Sequence, residues 1–98
     1  IDLDILGGNF REISTSQKRQ YNIGNGLEVI KVNNGKLKEA GINKGFIIQK
    51  VNDFAVKSIE DLQQIVKEAS TSKDPVLYIQ GIYPTGKKAY FAVPLQED

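Results

Sequence analysis

The residue types that most often carry enzyme chemistry are scarce in this sequence. It contains no cysteine and no histidine, which excludes thiolate nucleophiles, imidazole bases and Cys/His zinc sites. Ser14, Ser16 and Ser58 therefore have no imidazole to activate them, and their positions suit helix caps and turns. Of the carboxylate pairs, Glu60/Asp61 falls in the first turn of an expected helix and Glu97/Asp98 in a polar tail. Gly24-Asn25-Gly26 is followed by a β-run rather than a helix, so a phosphate cradle fails on context. Gly7-Gly8-Asn9 offers no nucleophile. No catalytic residue, metal ligand or cofactor site is assigned, and independent enzymatic activity is not expected.

Composition bounds the remaining classes. The 98 residues are 40% hydrophobic and 26% charged with a formal net charge of +1, the balance of one ordinary globular domain. Its basic residues are interspersed with acidic ones, and the adjacent pairs Lys18-Arg19 and Lys87-Lys88 read as solvated surface; no nucleic-acid footprint is present. No apolar run approaches the ~20 residues of a membrane span, so membrane insertion is not expected. The sequence has no methionine and begins at Ile1, from which a fragment or processed product is expected.

The elements follow from periodicity and punctuation. Residues 7–14 read as a first strand. Ser14 to Tyr21 is polar and is open between a short helix, capped by Ser14 or Ser16, and a loop. Asn22 to Gly26 is turn chemistry. Leu27 to Val32 and Phe46 to Val51 are β-runs, with one or two helical turns at Lys36 to Ala40 stopped by Gly41. Asn52-Asp53 turns the chain into a short return strand, Phe54-Ala55-Val56. The clearest helix starts at Ser58: Asp61 three residues on gives a variant capping box, and Ile59, Leu62, Ile65, Val66 and Ala69 form one apolar stripe. It must stop before Pro75. Val76 to Tyr83 and Lys88 to Val93 form a hairpin through Pro84-Thr85-Gly86. The whole is an α+β design, a partly open antiparallel β-barrel or sandwich of five to six strands, with one main helix and one short one.

The order of these pieces is distinctive: Gly26-Leu27-Glu28-Val29-Ile30-Lys31-Val32, then Gly35-Lys36-Leu37-Lys38-Glu39-Ala40-Gly41-Ile42. Next come Lys44-Gly45-Phe46-Ile47-Ile48-Gln49-Lys50-Val51-Asn52-Asp53 and Ser58-Ile59-Glu60-Asp61-Leu62. This resembles the PDZ domains of the HtrA/Deg family of serine proteases. The lead-in Leu6-Gly7-Gly8-Asn9-Phe10-Arg11-Glu12-Ile13 is similar to the segment that opens the second, C-terminal PDZ domain of bacterial members. Two positions depart from the pattern: Gly45-Phe46 stands where Gly-Asp is usual, and Asn52-Asp53 where Asn-Gly is usual. The resemblance implies a linker over residues 1–6, a PDZ domain over 7–95 and a tail over 96–98.

It also implies a site. In such domains a glycine-containing loop turns backbone N–H groups toward a peptide carboxylate, which must recover the hydrogen bonds it loses on leaving water. The next strand then accepts the peptide by β-augmentation beside the capped helix. The matching loop here is Ile5, Leu6, Gly7 and Gly8, with Gly8 where an aliphatic residue is usual; the same residues also suit a strand lead-in without ligand duty. The pairing strand is Asn9, Phe10, Arg11, Glu12 and Ile13. The groove helix offers Ile59, Leu62, Ile65 and Val66, most of them also core candidates, and periodicity leaves open which of these, or of Asp61 and Gln64, faces the strand. The implied function is a non-catalytic module of a trypsin-like, periplasmic or cell-envelope serine endopeptidase, binding C-termini or extended segments of unfolded proteins. The alternative is an occluded groove serving contacts with the protease domain or with subunits of a homo-oligomer.

Overall fold

The computed structural model describes residues 6–95. Its elements are β1 (Gly8–Glu12), α1 (Thr15–Tyr21), β2 (Leu27–Val32), α2 (Lys36–Ala40), β3 (Ile47–Val51), β4 (Phe54–Ala55), α3 (Ile59–Ser70), β5 (Val76–Ile82) and β6 (Lys88–Pro94). All strand pairs are antiparallel, in the order β1-β2-β3-β5-β6 with β4 on β3. Among the described residues the sheet is open: β1 and β6 end the five-strand path and do not meet.

The segment left open between helix and loop is helix α1. Ser14 Oγ accepts the Gln17 N–H at 3.1 Å and Gln17 Oε1 accepts the Ser14 N–H at 2.8 Å, a reciprocal capping box. Asn22 ends the helix in the left-handed conformation, φ 56°. At α3 the Ser58 hydroxyl accepts the Asp61 N–H at 3.2 Å, as the sequence implies, but the Asp61 carboxylate accepts from Lys57 N–H, one residue before the cap.

The main core runs between the sheet and α3. Leu27, Val29, Ile48, Val51, Leu77, Ile79 and Val93 supply its sheet side, and Leu62, Val66 and Ala69 its helix side. Phe46 is fully buried at one end, edge-on to Tyr83 (centroids 4.9 Å) and Phe91 (5.3 Å). Gly81 makes room for it, because a Cβ there would strike the Ile47 carbonyl and the Phe46 ring. Leu6, at the end of the stretch read as a linker, is fully buried in this core. A smaller cluster of Ile13, Ile47 and Ile82, with Tyr21 and Ile23 packed on it, seats the end of α1.

Candidate functional site

The first strand has one free side. Among the described residues β1 pairs only with β2, and two bonds fix which of its groups face that partner. Asn33 N–H donates to the Gly7 carbonyl at 2.7 Å, and Ile13 N–H donates to the Gly26 carbonyl at 3.3 Å. Antiparallel alternation between these ends turns Asn9 and Arg11 toward β2 and leaves Gly8, Phe10 and Glu12 with both N–H and C=O pointing outward. The register skips Ile30 between the partners of Asn9 and Phe10, so the bulge lies on β2 and the phase of β1 is unbroken.

The loop before β1 continues the same row of donors. The Leu6 carbonyl accepts from Leu37 N–H at 2.9 Å, and the Gly7 carbonyl is held by Asn33. No peptide bond is cis, and in a trans peptide the C=O and the following N–H point opposite ways. With both carbonyls tied inward, the N–H groups of Gly7 and Gly8 are directed out, on the side of the free edge. This needs a glycine at position 7: its φ is +73°, and a Cβ would lie 2.7 Å from the Asn34 oxygen and 2.8 Å from Gly35 Cα. Gly8, the departure from the family's aliphatic residue, also has a packing cause. A Cβ there would come within 2.7 Å of the Lys31 oxygen and 2.9 Å of Leu37 Cδ1. Leu37 occupies the space that a larger residue at position 8 would need. Ile5, the first residue of the expected loop, lies outside the described residues.

The helix α3 lies against β5 and β1, with two distinct flanks beside its buried stripe. Asp61, Gln64, Ile65 and Glu68 line a cavity of about 250 Å³ with Phe54 and Ala55 of β4. Ile65, expected among the groove residues, thus turns toward β4, and Asp61 and Gln64 go with it. At about 100° per residue, the opposite flank of the stripe carries Ile59, Gln63, Val66 and Ser70, and this flank is on the β1 side. Ile59 and Gln63 are half-buried there, Val66 is buried, and Leu62 belongs to the core. Across from them Phe10 is a core residue that keeps 8% exposure, whereas Leu27 and Val29 behind it keep none. Gln63 and Ser70 escaped sequence reasoning because they are polar members of a face searched for by its apolar residues.

The ends of the slot follow from a second cavity. Glu12, Ile13, Lys18, Gly24, Asn25, Gly26 and Lys57 surround about 350 Å³, so the end of β1 meets the start of α3. The two elements therefore run in opposite directions, and the Leu6-Gly7 loop sits by the helix C-terminus. Asn25 Nδ2 holds this mouth together, donating to the carbonyls of Gln49 (3.3 Å) and Val56 (3.0 Å).

The side of β1 that faces β2 is anchored by charge. Arg11 Nη2 reaches Glu28 Oε1 at 2.9 Å, and Gln17 Nε2 donates to the same oxygen at 2.9 Å. Burial works against the Glu28 charge, but the Gln17 and Arg11 hydrogen bonds, with the positive charges of Arg11 and Lys44, outweigh it and hold the carboxyl below its ordinary range. The hydroxyls of Ser14 and Ser58 serve as caps, and no helix among the described residues is long and apolar enough to cross a membrane.

An open antiparallel sheet with an unpaired edge strand, led by a glycine loop and flanked by a capped helix, defines a small class of domains. The chain belongs to the PDZ-like domain family, whose family model matches residues 3–72. Among solved structures it is similar to the HtrA3 PDZ domain bound to a phage-derived ligand, FGRWV, with a TM-score of 0.72 and 24% identity, covering 91% of this chain and 81% of that one. It is also similar to an HtrA-type protease, an AlgW serine-to-alanine variant with a decapeptide. There the TM-score is 0.70 and the identity 14%, covering 91% of this chain and 27% of that one. A search of curated proteins gave no match.

Proposed function

We propose that this PDZ domain captures the C-termini or extended segments of unfolded proteins by adding them as a strand to β1. The observation that carries this is the continuous row of outward groups, from the Gly7 and Gly8 N–H donors to the edge groups of Gly8, Phe10 and Glu12. A terminal carboxylate placed on the two glycine N–H groups sets the register. The ligand's last residue then donates its N–H to the Gly8 carbonyl, its third-last residue pairs with Phe10 and its fifth-last with Glu12. Phe10 and the α3 flank of Ile59, Gln63 and Val66 form the walls. A slot of this size binds weakly, at about micromolar Kd. The peptide ligands carried by the HtrA3 domain and by AlgW support the reading.

The parent is, on this reading, a trypsin-like serine endopeptidase of the HtrA/Deg type acting in protein quality control in the periplasm or cell envelope, with this domain as its second PDZ copy. A Gly-Asn-Ser-Gly-Gly motif upstream of Ile1 in the gene tests the parent assignment, and an HExxH motif there would overturn it. The capture itself is tested by titrating a library of free-C-terminus peptides and their amidated twins against the folded domain. Free carboxylates should bind more tightly; absence of binding by either set ends the claim.

A further inference from the structure

The cavity of about 350 Å³ where β1 ends and α3 begins is not used by the last five residues of a ligand. It lies past Glu12, the last outward-facing pair on β1, and so on the path of a longer chain leaving the slot. Its lining is Gly24, Asn25, Gly26 and Ile13, with three charged residues: Lys18 from α1, Lys57 from the segment before α3, and Glu12 from β1. Among the described residues neither lysine has a carboxylate within salt-bridge distance, Glu12 included. The nearby Asp61 carboxylate accepts from the backbone N–H of Lys57 and lines the cavity beside β4, not this one. The lysines come from two elements that are separately fixed, α1 by its capping box and the Lys57 segment by the Asn25 bonds to Gln49 and Val56. Two cations thus converge on one mouth that holds a single anion.

We infer that this mouth is a subsite for an acidic residue of the bound peptide, at the fifth or sixth position before the terminal residue. The inference rests on the β-augmentation reading, because the register along β1 is what brings those positions to the cavity. Strand rise is about 3.4 Å per residue, so a ligand side chain two residues beyond the partner of Glu12 has passed the end of β1 and lies between Lys18 and Lys57. A glutamate or aspartate there meets both ammonium groups; a lysine there meets like charge. The domain therefore selects not only a free C-terminus but a terminal segment preceded by negative charge.

Three N-acetylated heptapeptides test this. Each ends in Phe-Gly-Arg-Trp-Val, the ligand of the HtrA3 domain, or in a better-binding pentapeptide from the C-terminal library; they begin Glu-Glu, Ala-Ala or Lys-Lys. Titrated against the intact domain at low salt, the Glu-Glu peptide should bind about three- to ten-fold more tightly than the Ala-Ala peptide, with Lys-Lys weakest. The advantage should shrink as salt is raised and reverse in the double variant Lys18→Glu, Lys57→Glu, while the affinity for Ala-Ala stays the same. Equal binding of all three by the wild-type domain overturns the subsite and leaves peptide capture standing. No binding by any of them, or by the library, overturns both readings.

Discussion

Among the described residues the five-strand path of the sheet ends at β1 and at β6, and the two ends are built differently. At β6 the hairpin bond from Tyr83 N–H to the Lys87 carbonyl, and that from Leu95 N–H to the Pro75 carbonyl, fix the phase. Lys88, Tyr90, Ala92 and Pro94 face outward. Pro94 has no N–H to offer, Lys88 places a charge on the edge, and α2 lies against the strand. These are the devices that keep an edge from recruiting another chain. At β1 every outward position keeps its N–H, the strand is led by two glycines, and the neighbouring helix stands off by a flank of half-buried side chains. One sheet thus carries a guarded edge and an open one. The difference lies in a few residues rather than in the fold.

Proline substitution is the sharpest way to break the comparison. Arg11 N–H faces β2, so Arg11→Pro removes a ladder bond and displaces the Glu28 partner; stability should fall by about 3 kcal/mol or more. Urea unfolding measures this, and a loss below about 1 kcal/mol would mean that the phase assigned to β1 is wrong.

Next in size is Gly8→Leu, which restores the family's usual residue. Its Cβ would press on the Lys31 backbone oxygen and Leu37, and overpacking of this kind costs about 1–3 kcal/mol. Unchanged stability with tighter peptide binding would show that Leu37 readily gives way, and that the departure at position 8 has no packing cause.

Glu12→Pro separates edge from fold. The Glu12 N–H points outward, so its loss should leave stability within about 1 kcal/mol of wild type while weakening peptides of five or more residues by about five-fold, the worth of one hydrogen bond. Ala92→Pro on β6, also outward-facing, should leave peptide binding untouched. If Ala92→Pro weakens binding as much as Glu12→Pro does, the ligand is not on β1.

Much of this arrangement is legible in the sequence, because the strong periods and the punctuation residues act locally. The Leu27 and Phe46 strands, the Ser58 cap and the α3 stripe are each set by neighbours within a few positions. Even α1, left open between helix and loop, carries its signal in Ser14-x-x-Gln17. What the sequence could not give is long-range. Leu6 is core because it joins the cluster that holds Leu37 of α2, whose N–H also ties its carbonyl, and Gly8 is small because Leu37, far along the chain, fills its space. Ile65 belongs to the β4 flank because β4 packs on that side of the helix. The pairing of Lys18 with Lys57 across the slot mouth depends on α1, the Asn25 turn and the α3 cap all being in place.

The smallest expected effect concerns how the open edge is held from behind. Glu28 ties Arg11 of β1 and Gln17 of α1 to β2, whereas among the described residues no ion pair involves β6. The folded-state pKa of Glu28 is lowered from the ordinary value of 4.5. A carboxyl whose folded pKa is depressed stabilises the fold fully above its unfolded value, and that contribution disappears as the pH falls through the lower folded value. Arg11 is largely exposed, its side chain keeping 61% of its accessible surface, so the contribution is small, about 0.5 kcal/mol. Urea unfolding of wild type and Glu28→Gln should therefore differ by a constant amount at pH well above 4.5 and converge as the pH falls through the lowered folded value. A difference that persists at low pH would assign the effect to shape rather than charge, and β1 would be held to β2 by its ladder bonds alone.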